Sequence, residues 1–190
     1  MRATVVCIAG TDGALSDQVG ELVAERLGYR LANGAIIVAA AQEHGLLPES
    51  VSEAESRDAG RTLEVDFGRV EKTETVRGLI KDAVQRTADE GSVVIVAHAA
   101  SFALAGRDGV LRVLVTAPTE TRVARLAANE RVDETQAGKV VAESDKSRAV
   151  YLERFYQVKR ETPTDYDLVV NTERLTPEQA AALIVDAASQ

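Results

Sequence analysis

Two patterns of apolar residues alternate along this chain. Short, largely apolar runs lie at residues 4–9, 93–96, 110–115 and 168–170. Runs of this length are typical of strands that are buried on both faces, as strands are in parallel sheets. Between the runs, apolar residues recur at every third or fourth position, which is the spacing of an amphipathic helix.

Turn and capping residues divide these patterns into separate elements. Gly28 ends a helix predicted from Val19 to Leu27, a short strand is expected at residues 29–31, and Thr119 is suited to cap a helix over residues 120–129. Further helices are expected over residues 34–43, over residues 76–90, as a pair within residues 134–161, and after Thr176, where Thr176-Pro177-Glu178-Gln179 reads as a capping box.

Strands that alternate with helices predict an α/β fold. The economical arrangement is a three-layer α/β/α domain with a parallel sheet of about five strands, in which residues 93–96 form a central strand. The whole chain, residues 1–190, is expected to form this one domain. Residues 48–68 are acidic and poor in apolar side chains, which predicts a mobile surface segment.

Composition excludes several classes of partner. The formal net charge of −8 argues against binding to nucleic acid or to an anionic membrane. The single cysteine, Cys7, cannot form an intramolecular disulfide, and its apolar surroundings predict a buried core residue. Neither a signal core nor a run of membrane-spanning length is present, so a cytoplasmic location is expected.

The first strand leads through a short loop into the first helix, which is the layout of a P-loop. The loop and the start of the helix comprise Gly10, Thr11, Asp12, Gly13, Ala14, Leu15, Ser16 and Asp17. Set against G-x-x-x-x-G-K-[ST], Leu15 replaces the second glycine, Ser16 replaces the lysine, and Asp17 replaces the hydroxyl that holds Mg²⁺. The architecture therefore predicts a nucleotide fold whose phosphate chemistry has been altered.

The second half of the chain carries a family resemblance. The residues that carry it are Asp145-Lys146-Ser147-Arg148, then Tyr151, Phe155 and Tyr156, then Tyr166-Asp167-Leu168-Val169-Val170-Asn171-Thr172. With this pattern, the chain resembles the cytidylate-kinase-like family of P-loop nucleoside monophosphate kinases. That resemblance implies a P-loop NTPase-like fold, an acceptor-type mobile segment over about residues 34–72 and a helical lid over about residues 130–162.

The same resemblance implies roles for individual residues. It gives Lys146 and Arg148 of the lid catalytic roles at the transferring phosphoryl group, and it places Arg122 near the donor base. The remaining implied contacts are the loop of residues 10–17, Asn171 and Thr172 for the ATP cofactor, and Asn33, His98 and Asp145 for the substrate. ATP and Mg²⁺ are implied as cofactors if the family activity is retained, and none otherwise. No metal site of the protein's own is expected, because two histidines and one cysteine lack the spacing of metal ligands.

Each of these residues also has a simpler interpretation. Arg148 could form a surface ion pair with Asp145 or Glu143, whereas Arg122 and Arg125 could merely solvate their helix. His98 could be a hydrogen-bonded loop histidine. Asn171 and Thr172 could stabilise a turn, and Ser16 and Asp17 favour a helix start.

Two hypotheses about function follow. The first is a kinase-like protein with weak or no phosphoryl transfer that serves as a nucleotide-binding or regulatory module, because the loop lacks a lysine and carries a carboxylate where a polyphosphate would sit. The second is an active kinase that transfers the γ-phosphoryl group of ATP to CMP or dCMP. A protein partner and a homodimer remain open under either hypothesis.

Overall fold

The computed structural model describes residues 3–33, 78, 81–97 and 99–190. Several expectations lie outside these residues: the helix over residues 34–43, the mobile acidic and acceptor-type segments, and His98.

Five strands form one parallel sheet. They are β1 (Val5–Gly10), β2 (Arg30–Ala32), β3 (Val93–Val96), β4 (Val110–Thr116) and β5 (Leu168–Asn171). The order across the sheet is β2-β3-β1-β4-β5, and every neighbouring pair is parallel. The predicted α/β class and the number of strands are confirmed. β3 pairs with a strand on each side, as expected of a central strand, and β1 lies in the middle of the five.

Helices connect the strands. They are α1 (Ser16–Leu27), α2 (described over residues 81–89), α3 (Ala100–Ala103), α4 (Thr119–Glu130), α5 (Glu134–Tyr156) and α6 (Pro177–Ser189). A single 3₁₀ turn, Pro163–Asp165, precedes β5. No helix in the described part of the chain is both long enough and apolar enough to cross a membrane.

The sheet is covered on both faces, because alternate residues of β1 enter two different cores. Val6 and Ile8 pack with residues of α1 and α6, whereas Val5 and Cys7 pack with residues of α2 and α3. Each buried residue of this kind contributes roughly 1.5–3 kcal/mol to stability. The three-layer arrangement fixes the carboxyl ends of β1, β4 and β5 along one edge of the sheet.

Several details differ from the predictions. Residues 134–161 contain one long helix, α5, where two were expected. Asp133 caps α5 by accepting a hydrogen bond from the amide of Gln136, and the helix runs without a break through its charged middle. Thr119 is the first residue of α4 and does not cap it. The capping box at Thr176 and the left-handed Gly28 at the end of α1 are confirmed.

Candidate functional site

The loop between β1 and α1 keeps a tight turn. The amide of Ala14 donates to the carbonyl of Thr11 at 2.9 Å, and Gly13 has a φ of +79°. Leu15 lies just before the helix with a φ of 66° and a ψ of 25°, in the left-handed region. This conformation costs a residue other than glycine roughly 1–2 kcal/mol. The leucine has therefore not changed the backbone shape that a glycine at this position would readily adopt.

The side chain of Ser16 lies close to Gly10, at the start of the loop. A Cβ atom on Gly10 would lie 2.3 Å from both the Cβ and the Oγ of Ser16, so only glycine fits there. Asp17 lies exposed in the first turn of α1. Neither residue caps the helix, since Leu15 holds the cap position and no side chain accepts a hydrogen bond there. Ser16 and Asp17 therefore begin the helix, as expected from the sequence, but their side chains do not cap it.

Three side chains hold the carbonyl groups of the loop. Nε of Arg122 donates to the carbonyl of Asp12 at 2.7 Å, and Arg125 donates to the carbonyl of Gly13 at 3.2 Å. The hydroxyl of Thr172 donates to the carbonyl of Ala14 at 2.9 Å. The side chains come from α4 and from the end of β5, so both neighbouring elements fix the loop.

Arg122 is buried, and all three of its side-chain nitrogens donate hydrogen bonds. Its two terminal nitrogens donate to the two carboxylate oxygens of Asp145 at 2.9 and 2.7 Å. The side chain of Arg122 is 5% exposed and that of Asp145 is 42% exposed. This burial excludes the interpretation that Arg122 merely solvates its helix. Asp145, which the resemblance assigns to the substrate, pairs here with the arginine that holds the loop.

Arg148 also lies in a buried ion pair, but its partner is neither Asp145 nor Glu143. It donates to both carboxylate oxygens of Glu161, at 2.9 and 2.6 Å, and to the hydroxyl of Tyr166 at 3.0 Å. Tyr166 in turn donates to Glu161. Glu161 was not predicted from the sequence, because a partner thirteen positions away, beyond the end of the helix, leaves no local pattern.

This cluster shifts the pKa values of its members. Burial alone would raise the pKa of Glu161, but the hydrogen bond and positive charge of Arg148, together with the hydrogen bond from Tyr166, lower it overall. Burial is also the largest effect on Tyr166, and it raises the pKa of the phenol. The cluster is therefore an ionised pair, Arg148 with Glu161, closed by a neutral tyrosine.

Five aromatic rings form a connected group that includes Tyr166 of this cluster. They are Phe102, Tyr151, Phe155, Tyr156 and Tyr166. Phe102 bridges the group, with its ring centre 5.6 Å from that of Tyr156 and 6.0 Å from that of Tyr166. The first pair is tilted and the second is edge-to-face, and aromatic pairs contribute roughly 0.5–1.5 kcal/mol each beyond their buried area. They fix the end of α5 against α3.

The remaining predicted site residues are not all brought together. Asn33 is exposed after β2, and Lys146 is exposed on α5. Asn171 is also exposed, and its Oδ1 accepts from the amide of Glu173 at 2.8 Å, which is the turn role considered above. Within the described ranges, no group of histidine, cysteine or acidic residues is arranged to hold a metal ion.

The loop fits a phosphate group better than it fits a hydrated Mg²⁺ ion. Its backbone keeps the glycine-like turn, and the buried hydroxyl of Thr11 has no hydrogen-bond partner among the described residues. At the position of the magnesium-holding hydroxyl the chain has Asp17, and this residue belongs to no group of three or more described histidine, cysteine or acidic residues that could hold a metal ion.

A parallel sheet with a strand, loop and helix of this form defines the class of P-loop kinases. Residues 5–174 match the model of the cytidylate kinase-like family. The chain belongs to this family.

Similar proteins agree with that assignment. The cytidylate kinase of Methanopyrus kandleri is 27% identical over 96% of this chain and 91% of the relative, and that of Aeropyrum pernix is 28% identical over 95% and 96%. Solved structures share the fold. An uncharacterised protein from Eubacterium ventriosum has a TM-score of 0.70 at 18% identity, with 97% of each chain covered. The shikimate kinase of Bacteroides thetaiotaomicron has a TM-score of 0.59 at 14% identity, over 96% of this chain and 97% of that one.

Proposed function

We propose that this chain is a nucleotide-binding member of the family with weak or no phosphoryl transfer, acting as a binding or regulatory module. The observation that carries the proposal is the left-handed Leu15, whose φ of 66° retains the turn of a phosphate loop while the residues that follow it, Ser16 and Asp17, supply no cation. The backbone shape of the loop favours binding of a phosphate group, whereas the absence of a cation at these two positions disfavours phosphoryl transfer.

The charges around the loop support weak transfer. Phosphoryl transfer depends on positioning and on neutralising charge that develops on the transferring group. The guanidinium of Arg122 is balanced by Asp145, and that of Arg148 by Glu161. Lys146, the other residue that the resemblance makes catalytic, is exposed. Arg148 would have to leave Glu161 and Tyr166 to contact a phosphate.

The second candidate is an active monophosphate kinase for CMP or dCMP that uses ATP with Mg²⁺. It is favoured by relatives that are named cytidylate kinases and align over most of both chains. In that case Arg148 would leave its ion pair with Glu161, and both Arg148 and Lys146 would contact the phosphate. The two residues would belong to a lid over about residues 130–162. Asn33, His98 and the segment over about residues 34–72 would contact the acceptor.

Two measurements on the complete protein separate the candidates. We expect ATP at millimolar concentration to raise the melting temperature, because a ligand that binds only the folded state stabilises it. We also expect CDP or dCDP formation to be absent or very slow. Turnover at about 1–100 per second, as in ordinary kinases, would overturn the proposal in favour of the active enzyme. Failure of ATP, ADP and CMP alike to shift the melting temperature would exclude nucleotide binding.

A pair of variants tests the reason for weak transfer. Ser16→Lys combined with Asp17→Ser restores the missing cation and hydroxyl, and we expect tighter ATP binding and measurable turnover because the backbone turn is already in place. Ser189→Lys combined with Asp186→Ser makes the same change in net charge on α6 and should do neither. Equal effects of the two variants would show that only overall charge matters.

A further inference from the structure

Three successive carbonyl groups of the loop are fixed by donors outside it. The donors are Arg122 for Asp12, Arg125 for Gly13 and Thr172 for Ala14. Thr172 is completely buried, and its hydroxyl also accepts a hydrogen bond from Arg125 at 3.1 Å. Arg125 further donates to the carbonyl of Thr172 at 2.7 Å. Thr172 and Arg125 are therefore bonded to each other, and together they hold two adjacent peptide groups of the loop through hydrogen bonds to the carbonyl oxygens.

The hydrogen bonds to these carbonyl groups determine the direction in which the loop amides point. In a trans peptide the carbonyl and the following N–H point in opposite directions, and no described peptide bond is cis. Fixing the carbonyls of Asp12 and Ala14 on the side of α4 and β5 directs the amides of Gly13 and Leu15 away from that side. The third amide, that of Ala14, turns back to Thr11.

Arg125 differs from its neighbour Arg122 in charge balance. Its hydrogen-bond acceptors are neutral oxygens, those of Gly13 and Thr172, and no described carboxylate forms an ion pair with it. The guanidinium is half-buried directly behind the loop. A positive charge therefore lies on the carbonyl side of the loop, although the loop contains no lysine.

We propose that Thr172 and Arg125 are positioning residues for the phosphate group of a bound nucleotide. Thr172 orients the loop amides through the carbonyl of Ala14, and Arg125 supplies a positive charge that no described carboxylate pairs with. The proposal rests on the function proposed above, since it assigns the phosphate contact to the same loop. The residues that position the loop for this contact lie outside the P-loop motif, one on α4 and one just after β5.

The role of Thr172 is tested by two variants that each keep half of its side chain. Thr172→Val keeps the shape and removes the hydroxyl, whereas Thr172→Ser keeps the hydroxyl and removes a methyl group. We expect the valine variant to bind ATP on the order of tenfold more weakly and the serine variant to bind nearly as the wild type does. Equal affinities in both variants, or a larger loss in serine, would overturn the proposal.

A spectroscopic measurement separates positioning from simple destabilisation. In ligand-free ¹H–¹⁵N spectra, we expect the amide resonances of Gly13 and Leu15 to move in Thr172→Val and to stay in place in Thr172→Ser. Unmoved resonances in a folded valine variant would contradict the proposal. If the wild type binds no nucleotide, the proposed function fails, while these resonances still decide whether Thr172 orients the loop.

The charge of Arg125 is tested against another arginine of the same region. Arg125→Gln and Arg131→Gln remove the same charge, and Arg131 is exposed at the end of α4. We expect Arg125→Gln to weaken binding of ATP and of inorganic tripolyphosphate and to reduce the salt dependence of both. Arg131→Gln should leave both nearly unchanged. If the two variants behave alike, Arg125 has no specific part in binding. Should Thr172→Val fail to fold, Arg125→Gln and Thr172→Ser still decide the outcome.

Discussion

Arg148 and Glu161 join α5 to the segment that precedes β5 through two hydrogen bonds, at 2.9 and 2.6 Å. The side chains are 9% and 22% exposed, so the pair is largely withdrawn from water. A carboxylate here meets the guanidinium in the same two-pronged way that a phosphate would. The contact is therefore both a stabilising element of the fold and a competitor for any ligand of Arg148.

Replacing Glu161 by glutamine should destabilise the protein by about 1–3 kcal/mol, because it leaves a buried guanidinium with a weaker, neutral acceptor. Urea unfolding measures the change. Glu143→Gln on the exposed side of α5 is the matched control and should lie within about 0.5 kcal/mol of wild type. Equal effects in the two variants would mean that the buried pair adds nothing to stability.

The same pair predicts a loss of stability in acid. The pKa of Glu161 is lowered from its ordinary value of 4.5, since Arg148 and Tyr166 outweigh the opposing effect of burial. A lowered pKa stabilises the folded protein above the unfolded value, and that contribution disappears as the pH falls through the folded value. We expect the unfolding free energy to drop below about pH 4.5 and the drop to be smaller in Glu161→Gln. A variant with the wild-type pH profile would contradict the assignment.

Two helical glycines should respond to alanine in opposite ways. A Cβ on Gly20 of α1 would lie 2.3 Å from Cγ2 of Val96, a branched side chain that cannot easily move, so Gly20→Ala should cost about 1–3 kcal/mol. Gly138 of α5 has only Cγ2 of Val123 nearby, at 4.0 Å, so Gly138→Ala should stabilise by about 0.5–1 kcal/mol. Thermal unfolding of both variants measures the difference. A gain in stability for Gly20→Ala would contradict the close approach of α1 to β3.

Cys7 should be inert in the folded protein. Its burial raises the pKa of the thiol from 9.0 to about 12, although a hydrogen bond from Ser101 and the charge of Arg112 oppose the shift. A maleimide should therefore label Cys7 only after unfolding, because the thiolate is the reactive form. Mass spectrometry in native buffer and in urea measures this. Rapid native labelling would show that β1 opens without global unfolding.

The fold could be predicted from the sequence because its signals are local. The apolar runs of β1, β3, β4 and β5, the glycine at position 28 and the capping box at Thr176 each act within a few residues. The division of residues 134–161 into two helices was wrong because charged residues in the middle of α5 interrupt the apolar pattern without breaking the helix. Helical backbone tolerates charges on exposed positions.

The site was harder to predict, because its contacts join distant parts of the chain. The loop sequence showed that lysine is absent, but it could not show that Leu15 would still adopt a left-handed conformation. Arg122 and Thr172 looked equally suited to surface roles, and only the folded arrangement brings them onto the loop carbonyls. Their contacts arise from the packing of α4 and β5 beside β1, which no short sequence window contains.

The hydrogen bond from Thr172 to Ala14 spans 158 positions of the chain. During synthesis the loop of residues 10–17 emerges well before Thr172, because the ribosome releases the chain from its amino terminus. A nascent or truncated chain that ends before Thr172 therefore lacks the support of its own loop. If the loop holds a phosphate as proposed, a ligand there would stabilise chains that extend past residue 172 and would not stabilise shorter ones.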